Sequence, residues 1–306
     1  MQFTKIFNVA ATQKTVDFVN IEVGGDQPFY IDPSIIAGKN DKYAVRAKES
    51  LKDFFEVVHG LYESKCFDEA RGLLLFASEN DAIHFGQTRK GKKSDGTGCS
   101  TTMLVELFEK VHEKGRIAKR MLLEPYHSYL FIDGIAEDRM SDLISNVILD
   151  VLCDFTKEQC DLLGVPTQFF KDYRYYWNVD THEWSSKSAF LPVDGEGNPI
   201  LLVPKNFITN RFKLNVGTLI FQYILPLEMD KLGDKAPSNK KDLWNEIRGE
   251  HSQKDFAALY CSKYPEVYRE YCRRTDHRIQ GRHPGELTDL EIEAIVSFSQ
   301  CEEEQA

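Results

Sequence analysis

Apolar residues recur at helical spacing along several long stretches of the chain and at strand-like spacing along a few short ones. Between positions 43 and 62, Val45, Leu51, Phe54, Phe55, Val58 and Leu61 predict a helix whose solvated side carries Glu56 and His59. A second helix is expected over about 67–76. Leu104, Leu107, Phe108 and Val111 predict another over about 101–114, with Gly115 as its stop. Ser141 is a good N-cap, and beyond it Leu143, Val147, Ile148, Val151, Leu152 and Phe155 predict a well-buried helix ending near Leu163 and Gly164, with Pro166 after it. After Arg211 the pattern is mainly helical, over 216–232, 240–264 and 289–298.

Strands are expected elsewhere. Residues 1–36 read as strands, beginning at Phe3, Ile6 and Val9, continuing over 16–23 and closing at 28–33. Residues 82–85, 121–125 and 128–132 are strand-like as well. Between 168 and 178, Phe169, Phe170, Tyr173, Tyr175, Tyr176 and Trp177 cluster with Lys171 and Arg174 interleaved, a composition that suits base stacking but suits a β-rich core as well. The turn Asp194-Gly195-Glu196-Gly197 separates two apolar runs and predicts a β-hairpin, with 200–203 as a buried strand and Lys205 at its end. The sum is an α+β protein: a mixed sheet with flanking helices over 1–212 and a mainly helical region over 213–306, with no low-complexity linker between them.

With 306 residues, 42% hydrophobic and 12% aromatic, the chain has the material for a sizeable core. A net charge of -10 argues against a broadly basic surface, although local clusters can still hold phosphates because salt screens distant charges. No apolar run is long enough for a membrane span and the first residues lack the plan of a secretory leader, so a soluble cytoplasmic protein is expected. Seven cysteines, with no C-x-x-C pair, are expected as reduced thiols. Cys261, Cys272, His277 and His283 match no familiar zinc spacing, and no structural zinc is expected.

Candidate chemistry is concentrated in three places. Gly86, Gly91 and Lys92 fit the first positions of a phosphate-binding P-loop, but Lys93 stands where a Ser or Thr must reach magnesium. Arg89, Lys90, Lys92 and Lys93 are therefore expected on a basic loop that touches nucleic-acid backbone or is simply solvated. Arg273, Arg274 and Arg278, between Arg269 and Arg282, form a second candidate phosphate-facing patch in an otherwise acidic chain. Asp26 and Asp32 flank the strand-like segment 28–31 and are read as turn residues.

The third place is the acidic stretch after the strand-like 128–132. Asp133, Asp138 and Asp142 follow one another there, and helical geometry would stack Asp138, Asp142 and Asn146 on one face. Carboxylates gathered at a strand end and a helix start are how proteins hold Mg²⁺ or Mn²⁺ for attack on phosphate, and Lys205 is placed to steady the developing charge. Glu137-Asp138 and Val203-Pro204-Lys205 resemble the Pro-Asp and acid-x-Lys elements of the PD-(D/E)XK nucleases of restriction and anti-phage defence. That resemblance implies a metal-dependent nuclease acting on DNA or RNA, with Asp142 and Lys205 catalytic and Asp133, Asp138 and Asp142 on the metal. Two other readings stand beside it. In one, Asp138 and Asp142 only cap the helix. In the other, the chain is a non-catalytic subunit or sensor of a larger complex, docking a protein partner, nucleic acid or a second copy through the 173–177 aromatics or the arginine-rich segment.

Overall fold

Side-chain amides, rather than a sheet, hold the first thirty residues in place. The computed structural model describes residues 1–74, 80–86, 130–131, 137–275 and 285–303. Within 1–36, expected as strands, helix α1 covers Phe3–Ile6 and helix α2 covers Pro33–Ala37, and Tyr30–Ile31 alone forms a strand, β1. The physical reason is that the buried amides of Gln13, Asn20 and Gln27 satisfy backbone groups that a ladder would otherwise pair. Asn20 Oδ1 accepts from the Thr4 N–H at 3.1 Å, and Gln13 Oε1 accepts from the Asn20 N–H at 2.8 Å. Gln27 accepts from the Glu22 N–H at 3.0 Å and donates to the Glu22 carbonyl at 2.9 Å. Asp32 caps α2 by accepting from the Ser34 N–H, as a turn residue should.

Helix α3 (Lys42–Glu63) follows the expected pattern, and Asp41 caps it by accepting from the N–H groups of Tyr43 and Ala44. Its apolar face is displaced from the simple expectation: Val45 is exposed and His59 is buried. The cause is contact on several sides, since α3 meets α2, helix α4 (Phe67–Leu74), helices α5 (Glu137–Val147) and α6 (Leu149–Leu163), and strand β2 (Gln168–Asn178). The helix expected to start at Ser141 starts at Glu137 instead, with the Glu137 carboxylate at the positive end of the helix dipole. At Ile148 it bends into α6 with hydrogen bonding kept on both sides, from Ile148 N to Ile144 O and from Leu152 N to Ile148 O. Gly164, at φ +68°, supplies the left-handed residue that ends α6.

Strand β2 pairs antiparallel with β3 (Glu183–Leu191) in a long ribbon, and β1 pairs antiparallel with β4 (Ile208–Thr209). Ribbon residues Lys171, Asp172 and Tyr173 bulge opposite Ser188, with Asp172 at φ +47° and its carboxylate accepting from the Ser186 hydroxyl. Two expected strands take other forms. Asp81–Ile83 is a 3-10 turn followed by His84 in the left-handed region. Segment 200–203 is buried and extended but joins no regular ladder, because its polar groups go to separate partners: Leu201 N–H to Ala82 O, Leu202 N–H to Thr156 Oγ1 and Val203 O to the Val19 N–H.

The remainder is helical. A run from Val216 to Leu232 widens to a π-turn over Leu219–Ile224 before α7 (Leu225–Leu232). Pro226 explains the widening, since it cannot donate to the carbonyl one turn back. Then come α8 (Lys240–Ile247), α9 (Gln253–Lys263), α10 (Pro265–Thr275) and α11 (Asp289–Glu303). The protein is α+β, with small antiparallel sheets, flanking helices and a helical C-terminal region. No helix among the described residues is long and apolar enough to cross a membrane.

Candidate functional site

The start of α5 lies against β1. The Ile31 N–H donates to Ser141 Oγ at 2.9 Å, so this serine, expected as a cap, instead ties strand to helix one turn inside. Glu137 Oε1 accepts from the Phe212 N–H at 3.0 Å. Burial pushes the Glu137 carboxyl up, against the Phe212 N–H and the Arg211 charge, and the nearby Asp32 carboxylate adds to the rise. Asp142 is buried, and the Ser145 hydroxyl and Asn146 amide both donate to its carbonyl oxygen, at 2.8 and 2.9 Å. Asn146 thus turns its amide back onto the helix. Asp138 is placed by the backbone alone, in the first turn of α5. Asp133 lies outside the described residues, as do Arg89, Lys90, Lys92, Lys93 and Arg278. Among the described residues no group of three His, Cys, Asp or Glu side chains is arranged to hold a metal ion.

Of the candidate cations, Lys205, Arg273 and Arg274 are described, and each has a carboxylate beside it. Lys205 Nζ lies 2.9 Å from Asp289 Oδ1 at the start of α11, and its N–H donates to the Asp17 carbonyl. Arg273 grips both oxygens of Glu270 at 2.8 Å each, and Arg274 Nε meets the same carboxylate at 2.5 Å. Together the two guanidiniums hold the Glu270 carboxyl down to about 2. Arginines expected to face phosphate therefore carry a local counter-charge.

A larger network runs along α6. Arg46 from α3 spans Asp150 at 2.7 Å and Asp154 at 2.8 Å, and Lys187 from β3 meets the other Asp154 oxygen at 2.9 Å. Glu158 accepts from the Tyr43 hydroxyl at 2.7 Å and pairs with Lys42. A shallow cleft of about 500 Å³ beside them is lined by Asp154, Lys157, Glu158, Asp161 and Leu162. Burial is the first influence on both aspartates. It leaves Asp150 raised, whereas hydrogen bonds from Lys187 and Arg46 outweigh it at Asp154, which is lowered. The network clamps α3 and the ribbon to α6. Burial also pushes the thiols of Cys153, Cys160 and Cys261 up to about 12, so they are inert as nucleophiles.

The ribbon itself has two unlike faces. Strand β3 carries no inserted residue, so Lys187, Ala189 and Leu191 share the face that packs on α6, and Trp184, Ser186, Ser188 and Phe190 share the other. Their partners Trp177, Tyr175 and Phe169 lie on that second face too. At the tip it is covered: the Trp177 ring stands edge-on to Phe54 at 5.0 Å, and its indole N–H donates to Asp53 at 2.7 Å. Trp184 donates to the Leu73 carbonyl at 2.8 Å. Toward the base the face is open, with Tyr175 51%, Phe169 58% and Phe190 48% exposed, and the two phenylalanine rings tilted together at 5.1 Å. A β-rich core is the expectation for the 168–178 aromatics, yet Trp177 is the one residue of β2 that is fully buried, and no strand is expected over β3; the alternation Trp184, Ser186, Ser188, Phe190 is the signal that marks it.

An α+β domain with a self-neutralised acidic helix and an aromatic ribbon is the class these features define. Residues 8–215 match the family model described as a domain of unknown function, DUF8370, and the chain belongs to that family. No curated protein matches the chain, and no solved structure does.

Proposed function

We propose that the chain is a non-catalytic docking protein that binds a protein partner through the open face of the β2–β3 ribbon. One observation carries this: Phe169 and Phe190 form an exposed ring pair beside Tyr175 on a face where the one carboxylate held against its serines, that of Asp172, accepts from the Ser186 hydroxyl. Aromatic enrichment with charge depletion is the composition of a protein interface core, and tyrosine and serine beside the rings add adaptable hydrogen bonding. A nucleic acid would draw most of its affinity from cations facing phosphate. Here Lys187, Lys205, Arg273 and Arg274 are engaged by carboxylates of the same chain.

The test is a photo-crosslinking amino acid placed at Ser188 in living cells, with Lys14 on the exposed N-terminal loop as the control position. A discrete adduct from 188 and not from 14 is expected, its partner identified by mass spectrometry and then bound in purified form by the wild-type chain. The double substitution Phe169→Ser, Phe190→Ser should abolish both adduct and binding. No adduct, equal adducts from both positions, or an adduct that survives the double substitution would overturn the proposal.

A second function, a Mg²⁺- or Mn²⁺-dependent nuclease, is favoured by a different observation. The end of β1 and the start of α5 bring the carboxylates of Asp32 and Glu137 near one another, a pair of oxygen donors at a strand end and a helix start. It requires that Mn²⁺ raise the melting temperature and that plasmid, single-stranded DNA or RNA be cut; an unchanged melting temperature with intact substrates excludes it.

A further inference from the structure

Far from the ribbon, a cleft of about 280 Å³ lies between the N-terminal loop and α11. Its inner wall is made of Thr4, Gln13 and Asn20, all buried, and Val9, Ala11 and Val296 give it an apolar side. The wall is held by its own hydrogen bonds. Asn20 Nδ2 donates to Thr4 Oγ1 at 3.0 Å, and Gln13 Nε2 donates to the Phe18 carbonyl at 2.9 Å. Each amide nitrogen has two N–H groups and the threonine hydroxyl carries its own proton, so these bonds leave one donor on each of the three side chains.

Charge gives the ligand its outline. Lys5 and Glu293 both line the cleft, from α1 and α11, and neither makes an ion pair with the other or with another group among the described residues. Other exposed lysines, Lys14 and Lys65 among them, also lack an ion pair among the described residues; Lys5 differs from them in sharing a cleft with Glu293. An unpaired cation and an unpaired anion on one polar cleft ask for a ligand that carries both charges. The volume sits just below the range of about 300–1,000 Å³ of drug-sized pockets, which limits the ligand to a compact molecule.

We propose that this cleft binds a free α-amino acid with a short aliphatic side chain. Its carboxylate faces Lys5 and the spare donors of Thr4, Gln13 and Asn20, its ammonium faces Glu293, and its side chain lies against Val9, Ala11 and Val296. The site is independent of the docking face, so either can fail alone.

Isothermal titration of the full chain with alanine, valine and leucine tests it, with N-acetylalanine and propylamine as probes that lack one charge each. Saturable one-to-one binding of at least one amino acid is expected, with each single-charge probe weaker by about tenfold or more. Lys5→Met and Glu293→Gln change exposed side chains and should keep the wild-type melting temperature while each weakens amino-acid binding by a similar factor, about tenfold. No saturable heat up to about 10 mM, a single-charge probe that binds as well as the amino acid, or full affinity in both variants would each overturn the proposal.

Discussion

Replacing Arg46 with methionine keeps the aliphatic stem and removes the charge that spans Asp150 and Asp154. Asp154 would keep Lys187 at 2.9 Å, but Asp150 would lose the guanidinium now 2.7 Å from its Oδ2, while its Oδ1 is already buried without a hydrogen-bond partner. Breaking a fully buried pair costs about 3–5 kcal/mol, and an exposed pair is worth about 0–1 kcal/mol. This pair lies between, with the Asp150 side chain 15% exposed and Arg46 41% exposed. A loss of about 2 kcal/mol follows, or a fall of roughly 3 °C in melting temperature. The pH dependence has a definite sign. The Asp150 carboxyl is raised by burial, so its stabilising contribution is complete below its unfolded pKa and is lost as pH rises through the folded value. Without Arg46 it rises further, deepening that loss. Asp154 is lowered by Lys187 and Arg46, so its contribution is present above its unfolded pKa and is lost on acidification; without Arg46 less of it is present at neutrality. Both make the deficit largest near neutral pH. Urea unfolding followed by circular dichroism at a series of pH values measures it, with Arg46→Met, Asp150→Asn as the rescue. A deficit equal at acid and neutral pH, or one that Asp150→Asn fails to reduce, would show that packing rather than charge explains Arg46.

Thr156→Val should cost about 1–3 kcal/mol in urea unfolding, because Thr156 Oγ1 is the acceptor for the buried Leu202 N–H at 2.9 Å and valine leaves that donor unpaired. A neutral substitution would mean that Leu202 finds another acceptor. Glu137→Gln should raise the melting temperature at neutral pH, since glutamine can still accept from the Phe212 N–H while removing a charge that burial disfavours. The gain should fade as pH falls through the raised folded pKa, where Glu137 is itself protonated, and a gain that persists below it would refute the electrostatic origin. On the docking proposal the wild-type melting temperature should be flat across millimolar Mn²⁺; a rise that Asp142→Asn abolishes would move the assignment to the metal-dependent nuclease.

Helices were legible where apolar residues recur at helical spacing over several turns. Phe54, Phe55 and Val58 mark α3, and Val147 to Phe155 mark the passage from α5 to α6, because these apolar residues at helical spacing are buried whichever neighbours they meet. Periodicity fails where the chain is buried on more than one side. Phe18, Val19, Asn20 and Ile21 are consecutive buried residues, so nothing in their order separates a strand from an extended segment pinned by distant amides. The same holds for 200–203, whose hydrogen bonds go to Ala82, Thr156 and Val19 in turn. His59 was placed on the solvated side because a lone histidine between apolar neighbours gives no sign of a second packing face.

Charges were harder to read than shape, for a physical reason. Whether an arginine faces phosphate or a neighbouring acid depends on distances of a few ångströms, since an exposed charge is felt over about 10 Å or less at ordinary salt. For Arg273 and Arg274 the deciding residue, Glu270, is three and four positions back on the same helix, and that pairing was available in the sequence. For Lys205 it is Asp289, at the start of α11, and for Lys187 it is Asp154, on a helix earlier in the chain; only the fold brings these together. Exposed lysines such as Lys14 and Lys65 have no such partner among the described residues, so an unpaired charge is informative only where the fold sets it on a cleft. Lys5 and Glu293 are set in that way, since one cleft is lined by both. If they served only solubility, neutralising both would leave amino-acid titrations as flat as the wild type's; if they frame a ligand, the two substitutions should each weaken binding without touching stability, a separation that a surface role cannot produce.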